Sequence, residues 1–241
     1  MSRILAIDTS SSWCSVALAV DDLPPMVRHQ QVSAGASQLL LPWVKELLNI
    51  AAMELTDLDA IAIGVGPGAF TGVRLGVAAA QGLATAARLP VLPVASLDSI
   101  AAMLVQSPDF IAADIQDFAI AIDARMDEIY WAKYHQDTLG WPTRIDNIAL
   151  CAPEEIQLEG IEYLAGSAYQ EFGERLFSTT AKSLAPHFID QEIGIHALGV
   201  LACGQEMWRT GLQQDVHLLE PLYVRNKVAF TTLERSQNSH V

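Results

Sequence analysis

The sequence predicts an α/β protein made of two duplicated subdomains with mixed sheets. Three observations carry that expectation. Short apolar runs alternate with longer stretches of helical periodicity. One joint between them, Gly66-Pro67-Gly68-Ala69-Phe70-Thr71-Gly72, reads as strand, tight turn and helix. An apolar run ending in aspartate also occurs twice, as Leu5-Ala6-Ile7-Asp8 and as Ile120-Ala121-Ile122-Asp123. Each copy is followed by a short turn and a second strand. The repeat divides the chain into a subdomain of residues 1–112 and one of residues 113–241.

The elements follow in order. Residues 3–9 form an apolar strand that ends in a turn. Residues 13–20 form a second strand, with Cys14, Val16, Leu18 and Val20 on one face. A third follows the Pro24-Pro25 turn over 27–32. A helix is expected over 37–53, where Pro42 removes the backbone bond to Gln38 and predicts a kink or a delayed start. The uninterrupted apolar run 60–65 is a central strand, and the Ala-rich stretch 73–89 is a helix with Thr71 as N-cap, ended by Pro90. Residues 91–94 are a short strand, and Ser96 caps a helix reaching about residue 105. Residues 106–117 read as a loop. Strands over 119–125 and 128–134 open the second half, and its clearest helix, 195–210, ends at Gly211. The polar residues after 231 are expected to fray.

Composition narrows the function. The chain has 241 residues, of which 51% are apolar and only 17% charged, so it is globular, with apolar surface to spare for a partner. Its net charge is −14, from 14 basic and 28 acidic residues, and such a chain is not expected to grip RNA or DNA alone. Cys14, Cys151 and Cys203 are far apart and odd in number, which points to free thiols in a reducing compartment. Neither a leader-like apolar N-terminus nor a bilayer-length apolar helix is present in the sequence, so a cytoplasmic protein with no membrane contact is expected.

Two kinds of site suggest themselves. Asp8 and Asp123 stand at equivalent strand ends, where each either coordinates a metal–phosphate complex or caps its own turn. Gly66, Gly68 and Thr71 belong to a turn that either seats an anion at the following helix or simply joins strand to helix, with Arg74 facing solvent or a carboxylate. No Lys-Ser/Thr pair follows Gly72, so the turn is not a Walker motif. The helix over 37–53 has apolar residues around roughly 200° of its circumference, about twice what one buried face requires. The helix over 73–89 is lined with alanine on every side. Together these helices offer a candidate dimer interface. No two of the six histidines lie four apart, and Ser10, Ser11 and Ser12 lack a nucleophile frame, so no zinc or iron site is expected and neither a metal ligand nor a catalytic residue is assigned.

Four ordered blocks resemble the bacterial TsaB (YeaZ) family. They are Ile4-Leu5-Ala6-Ile7-Asp8-Thr9-Ser10, then residues 66–76 beginning Gly66-Pro67-Gly68, then Ile122-Asp123-Ala124-Arg125 with Glu128-Ile129-Tyr130, and finally residues 221–229 beginning Pro221-Leu222-Tyr223. The resemblance implies an actin/hsp70/sugar-kinase-like (ASKHA) fold. It further implies a non-catalytic subunit of the complex that installs N6-threonylcarbamoyladenosine at tRNA position 37. That subunit pairs with a TsaD-like transferase, a TsaE-like ATPase docks on the pair, and the subunit meets tRNA only indirectly. ATP or ADP and metal are expected on those partners, with no cofactor bound by this chain alone. The transferase holds metal through two histidines on its first long helix, whereas this chain reads Ala36-Ser37-Gln38-Leu39-Leu40 there. The contact helices of the resemblance put Leu40, Val44, Leu47, Ala51, Val73, Val77 and Ala80 at the partner interface. A homodimer of the isolated chain would use the same helices. The alternative is an ATP-dependent small-molecule kinase of the same fold, using Asp8, Asp123 and the glycine turn.

Overall fold

A computed structural model describes residues 2–32, 35–178, 188–191 and 193–225. The expected fraying after 231, and the end of the fourth block from residue 226, lie outside these residues.

The first sheet contains β1 (Arg3–Asp8), β2 (Trp13–Val20), β3 (Met26–Gln31), β4 (Ala60–Gly66) and β5 (Val91–Ala95), in the order β3-β2-β1-β4-β5. β1 runs antiparallel to β2 and parallel to β4, and β4 is parallel to β5. The second sheet holds β6 (Asp117–Arg125), β7 (Glu128–Gln136), β8 (Pro142–Arg144), β9 (Ala149–Cys151), β10 (Tyr163–Ala165) and β11 (Ile189–Asp190). Its order is β11-β10-β6-β7-β8, with β9 also on β7. The pairings repeat those of the first sheet: β6 is antiparallel to β7 and parallel to β10, which is parallel to β11. Both sheets are therefore mixed, and the aspartate-ended strand is central in each.

Strand alternation sets the layers. The large side chains Leu5, Ile7, Val16, Leu18, Ile61 and Ile63 point to one face of the first sheet. There they meet α1 (Ala36–Ile50) and α2 (Phe70–Ala87). The small side chains Ala6, Ala17, Ala19, Ala60 and Ala62 point to the other face and admit α6 (Ala197–Arg209). A Cβ on Gly204 of α6 would crowd the Ala62 methyl, which shows how close that approach is. α6 packs on α3 (Ser96–Leu104), and α3 covers the inner face of the second sheet through Leu97, Ile100 and Leu104. The outer face of that sheet is closed by α5 (Ala168–Phe172) and the turns around it. The two sheets fall on either side of residue 112, but α6, from the second half of the chain, returns to the first sheet.

Several local expectations are corrected. α1 runs unbroken through Pro42, which is exposed on it. The N-cap of α2 is Ala69, and Thr71 lies within the first turn. Ala95, not Ser96, is the N-cap of α3. The expected loop over 106–117 contains α4 (Pro108–Ala113), capped by the Ser107 hydroxyl, which accepts from the Phe110 N–H at 3.3 Å.

Candidate functional site

Asp8 ends β1 beneath the Ser10 turn, which lines a cleft between the lobes. Its Oδ1 accepts the Ser10 N–H at 2.8 Å, and the Ser10 hydroxyl lies 3.0 Å from both carboxylate oxygens and 3.2 Å from Ser96 Oγ. The carboxylate is buried and rests against Gly64 of β4, where a Cβ would overlap Oδ2. Burial raises its pKa to about 6, with the Ser10 hydrogen bonds opposing. Asp123 does the same at the equivalent strand end: its Oδ1 accepts the Arg125 N–H at 2.7 Å. Each aspartate thus caps the turn that follows it. The difference is solvent. Asp123 lines the cleft and pairs with Arg125 at 3.0 Å, whereas Asp8 lies beneath the Ser10 turn.

The glycine block packs against that same turn. A Cβ on Gly68 would overlap the Ser10 carbonyl, and one on Gly72 would overlap the Thr9 carbonyl. Across this close approach the Ala69 N–H donates to Ser10 O at 2.6 Å, and the Thr9 hydroxyl donates to Gly72 O at 2.6 Å. Gly66 turns at φ 96° just before the cis Gly66–Pro67 bond, and Thr71 is exposed. So the glycines fit the chain's own Thr9–Ser10 turn against the start of α2. The anion-seat expectation gains nothing from this geometry, because the close approach is filled by backbone.

The cleft itself has a volume of about 910 Å³. Ser10, Gly68, Arg74, Asp123, Tyr130 and Arg225 are among its lining residues. Its mouth is bridged by the segment after α6. Gln214 exchanges backbone bonds with Val91, and Leu222 N–H donates to Val65 O at 2.8 Å, which ties the segment to the first lobe. The Tyr223 hydroxyl accepts from Arg74 Nε and Nη2 at 3.2 and 2.9 Å. The Arg74 guanidinium also lies 3.5 Å from the Phe70 ring centroid. Arg225 then reaches the second lobe, donating to the carbonyls of Ala124 and Arg125 at 3.1 and 3.3 Å and pairing with Glu128 at 2.5 Å. Arg74 therefore faces an aromatic pair rather than a carboxylate. Nothing in local sequence announces this: Arg74 and Tyr223 are 149 residues apart.

Six of the seven residues assigned to partner contact are corrected by their burial. Leu40, Val44, Leu47, Val73, Val77 and Ala80 belong to the core between α1, α2 and the first sheet, and Ala51 packs half-buried against it. A 15-residue helix and an 18-residue helix laid side by side on a five-stranded sheet need these side chains for their own docking. The outward face of α2 is a different set. Ala78, Gly82, Thr85 and Ala86 are exposed and uncharged, one turn beyond the exposed Arg74, while Leu75, Ala79 and Leu83 are half-buried against the core. On α1, Leu41 and Ile50 are exposed.

Two histidines are absorbed by packing. Trp13 stacks on His29 at 4.4 Å, and His29 meets His196 at 4.0 Å. His196 Nδ1 accepts the Leu198 N–H at 3.0 Å and so caps α6, while burial and the neighbouring His29 lower its pKa to about 4. Among the described residues, no three His, Cys, Asp or Glu side chains converge as a metal site would require. No helix among them is long and apolar enough to cross a membrane.

Comparison with known proteins adds family relations. A family model described as TsaD, tRNA N6-adenosine threonylcarbamoyltransferase, matches residues 29–171. The chain is 35% identical over 237 residues to the tRNA threonylcarbamoyladenosine biosynthesis protein TsaB of Escherichia coli strain K12. That alignment covers 96% of this chain and 98% of the relative. It is 30% identical to the protein of the same name from Haemophilus influenzae, covering 95% and 96%. Among solved structures, YeaZ from Pseudomonas aeruginosa superposes with a TM-score of 0.80 at 32% identity, covering 92% of this chain and 100% of that one.

Proposed function

Because this chain belongs to the TsaB family of tRNA threonylcarbamoyladenosine biosynthesis proteins, we propose that it is a non-catalytic subunit of the complex that installs N6-threonylcarbamoyladenosine at tRNA position 37. In this reading it pairs with a TsaD-type transferase and supports it. A TsaE-like ATPase docks on the pair, ATP or ADP and metal are held by those partners, and the work takes place in the cytoplasm. The observation that carries the reading is similarity to TsaB proteins along nearly the whole chain, at both the sequence and the fold level. Two features of the site support a scaffolding role. Asp8 is enclosed by its own turn, and the glycine block is filled by backbone. The kinase alternative is not favoured, since the TsaB likeness spans 96% of the chain.

The uncharged stretch of the outward face of α2 beyond Arg74 is the surface we assign to the transferase. Ala78, Gly82 and Ala86 recur every fourth residue, and small side chains let a second helix approach closely. An isolated chain would pair with its own copy through the same face. The test is reconstitution of the modification with tRNA, threonine, bicarbonate, ATP and the other proteins, with and without this chain. Ala78→Asp places a charge on the exposed face without touching the core. It is expected to weaken pairing with the transferase at least about tenfold, as a desolvated unpaired charge does, and to lower modification in parallel. Full modification in the absence of this chain would overturn the function. Undiminished pairing by Ala78→Asp would overturn the interface.

A further inference from the structure

Around the cleft mouth the chain displays a surface unlike the rest of it. Phe70, Tyr223 and Met126 are 50%, 54% and 60% exposed, and Leu222 lies beside them at 39%. Arg74 joins Phe70 to Tyr223, and Arg225, two residues further on, meets Met126. Phe70 and Tyr223 flank the Arg74 guanidinium, and the Met126 sulfur lies 2.8 Å from Arg225 Nη1. Phe70, Arg74, Arg125, Leu222, Tyr223 and Arg225 line one cleft. Exposed aromatic residues, methionine and arginine clustered together are the composition of an interface core.

The patch is also held rigid. Arg125, Met126 and Asp127 have φ of 62°, 59° and 60°, three consecutive left-handed residues without a glycine. Such a turn persists only when its surroundings impose it. Here Arg225 grips the carbonyls of Ala124 and Arg125, and Arg175 binds the Asp127 carboxylate with both Nη atoms at 2.7 and 2.9 Å. The result keeps Met126 exposed at a fixed position beside the segment that crosses the cleft.

Charge selects the occupant. Arg125 and Arg225 already face Asp123 and Glu128, but among the described residues Arg74 meets only a neutral phenol and aromatic rings. It stands in the first turns of α2, which carry no acidic residue. One uncompensated guanidinium between two exposed rings matches one carboxylate beside an apolar side chain. A nucleic acid needs several unpaired cations to hold its phosphates, and the chain as a whole is at −14. A second copy whose two-fold axis passed through this patch would set Arg74 near its own equivalent. We propose that the cleft mouth docks a segment of a partner protein that presents an aspartate or glutamate flanked by apolar side chains, with the carboxylate on Arg74 and the apolar flank on Phe70 and Tyr223.

A photoreactive benzoylphenylalanine at position 70, in the full chain inside growing cells, tests this when the cross-linked species is identified by mass spectrometry. The expected product is a protein peptide containing Asp or Glu next to apolar residues, in yield well above that from the same probe at the exposed Leu139. Combining the probe with Arg74→Gln should cut the yield about tenfold, the loss of one charge-assisted hydrogen bond, while the melting temperature stays that of the probe-bearing parent. An RNA adduct, a cross-link only to a second copy, a peptide without a carboxylate, a yield no higher than at Leu139, or indifference to Arg74→Gln would each overturn the proposal. The α2 face is tested separately by Ala78→Asp, so failure here leaves the proposed function standing, and the reverse also holds.

Discussion

Asp8 is the residue whose environment does the most to make it unlike its type. Its carboxyl is enclosed by the Ser10 turn, Gly64 and Ser96, and burial raises its pKa from 3.8 to about 6. The folded chain therefore holds a proton between pH 4 and pH 6 that the unfolded chain has released. The stability this group contributes is full below about pH 4 and is lost as the pH rises through 6. A shift of this size corresponds to about 3 kcal/mol. Asp8→Asn keeps an oxygen to accept the Ser10 N–H and cannot titrate. The unfolding free energy of the variant minus that of the parent, read by urea titration, should therefore grow by about 3 kcal/mol between pH 4 and pH 8. A constant difference would show that Asp8 is not desolvated. Sequence alone made the turn-capping role readable, because Asp8 and Asp123 occupy matching places in a visible repeat. It did not make the enclosure of Asp8 readable, because that depends on Gly64 across the sheet and on Ser96, which meets Ser10 from 86 residues further along the chain.

Among the elements, α2 shows most directly how one sequence feature can serve different ends. Its N-terminal glycines are needed for close approach, whereas Gly82 lies on the outward face with nothing within 4 Å of an added Cβ. Gly72→Ala forces the methyl into the Thr9 carbonyl and should destabilise the chain by about 1–3 kcal/mol. Gly82→Ala should stabilise the isolated chain by about 0.5–1 kcal/mol, since glycine is the poorer helix former. Thermal and urea unfolding of the two variants check both signs. If Gly72→Ala were as stable as the parent, the backbone joint described here would be wrong. Strands β1 to β7 and helices α1, α2, α3 and α6 were readable from apolar runs, alternation and the Ala-rich stretch, whereas β8 to β11 and α5, of two to five residues each, leave too short a pattern. What was not readable was which apolar residues face inward. On α1 and α2 the residues read as partner-facing, such as Val44 and Val77, are the ones the first sheet takes up, because composition shows an excess of apolar side chains without showing their direction. α4 was missed for a related reason: six residues ordered by a Ser107 cap and Phe110 burial leave too short a pattern to see.

At the scale of the whole molecule, the two lobes are joined by more than the packing of α3 on α6. The segment that follows α6 is bonded to β5 at Gln214, to α2 through the Leu219 carbonyl, to β4 at Leu222 and to Arg74 at Tyr223. It reaches the second lobe through Arg225, whose side chain is only 14% exposed and which meets two carbonyls and Glu128. All of the segment's polar contacts to the second lobe named here pass through this one side chain, so it governs how firmly the mouth of the cleft is held. Arg225→Ala should remove about 2 kcal/mol of charge-assisted hydrogen bonding. The loss should appear locally before it appears globally, because the apolar layers on either side of α3 and α6 are untouched. Hydrogen exchange is expected to quicken at the amides of the 124–128 turn and of residues 219–223, while those of β1 and β4 keep the parent rate. Arg225→Lys restores the charge to Glu128 but loses the Nη1 contact with the Met126 sulfur and has no planar head to set one nitrogen against both carbonyls, and should recover only part of the protection. Quickening spread evenly over both sheets would mean that the residue stabilises the fold as a whole. Unchanged exchange at the turn would mean that the left-handed run at 125–127 is held without it.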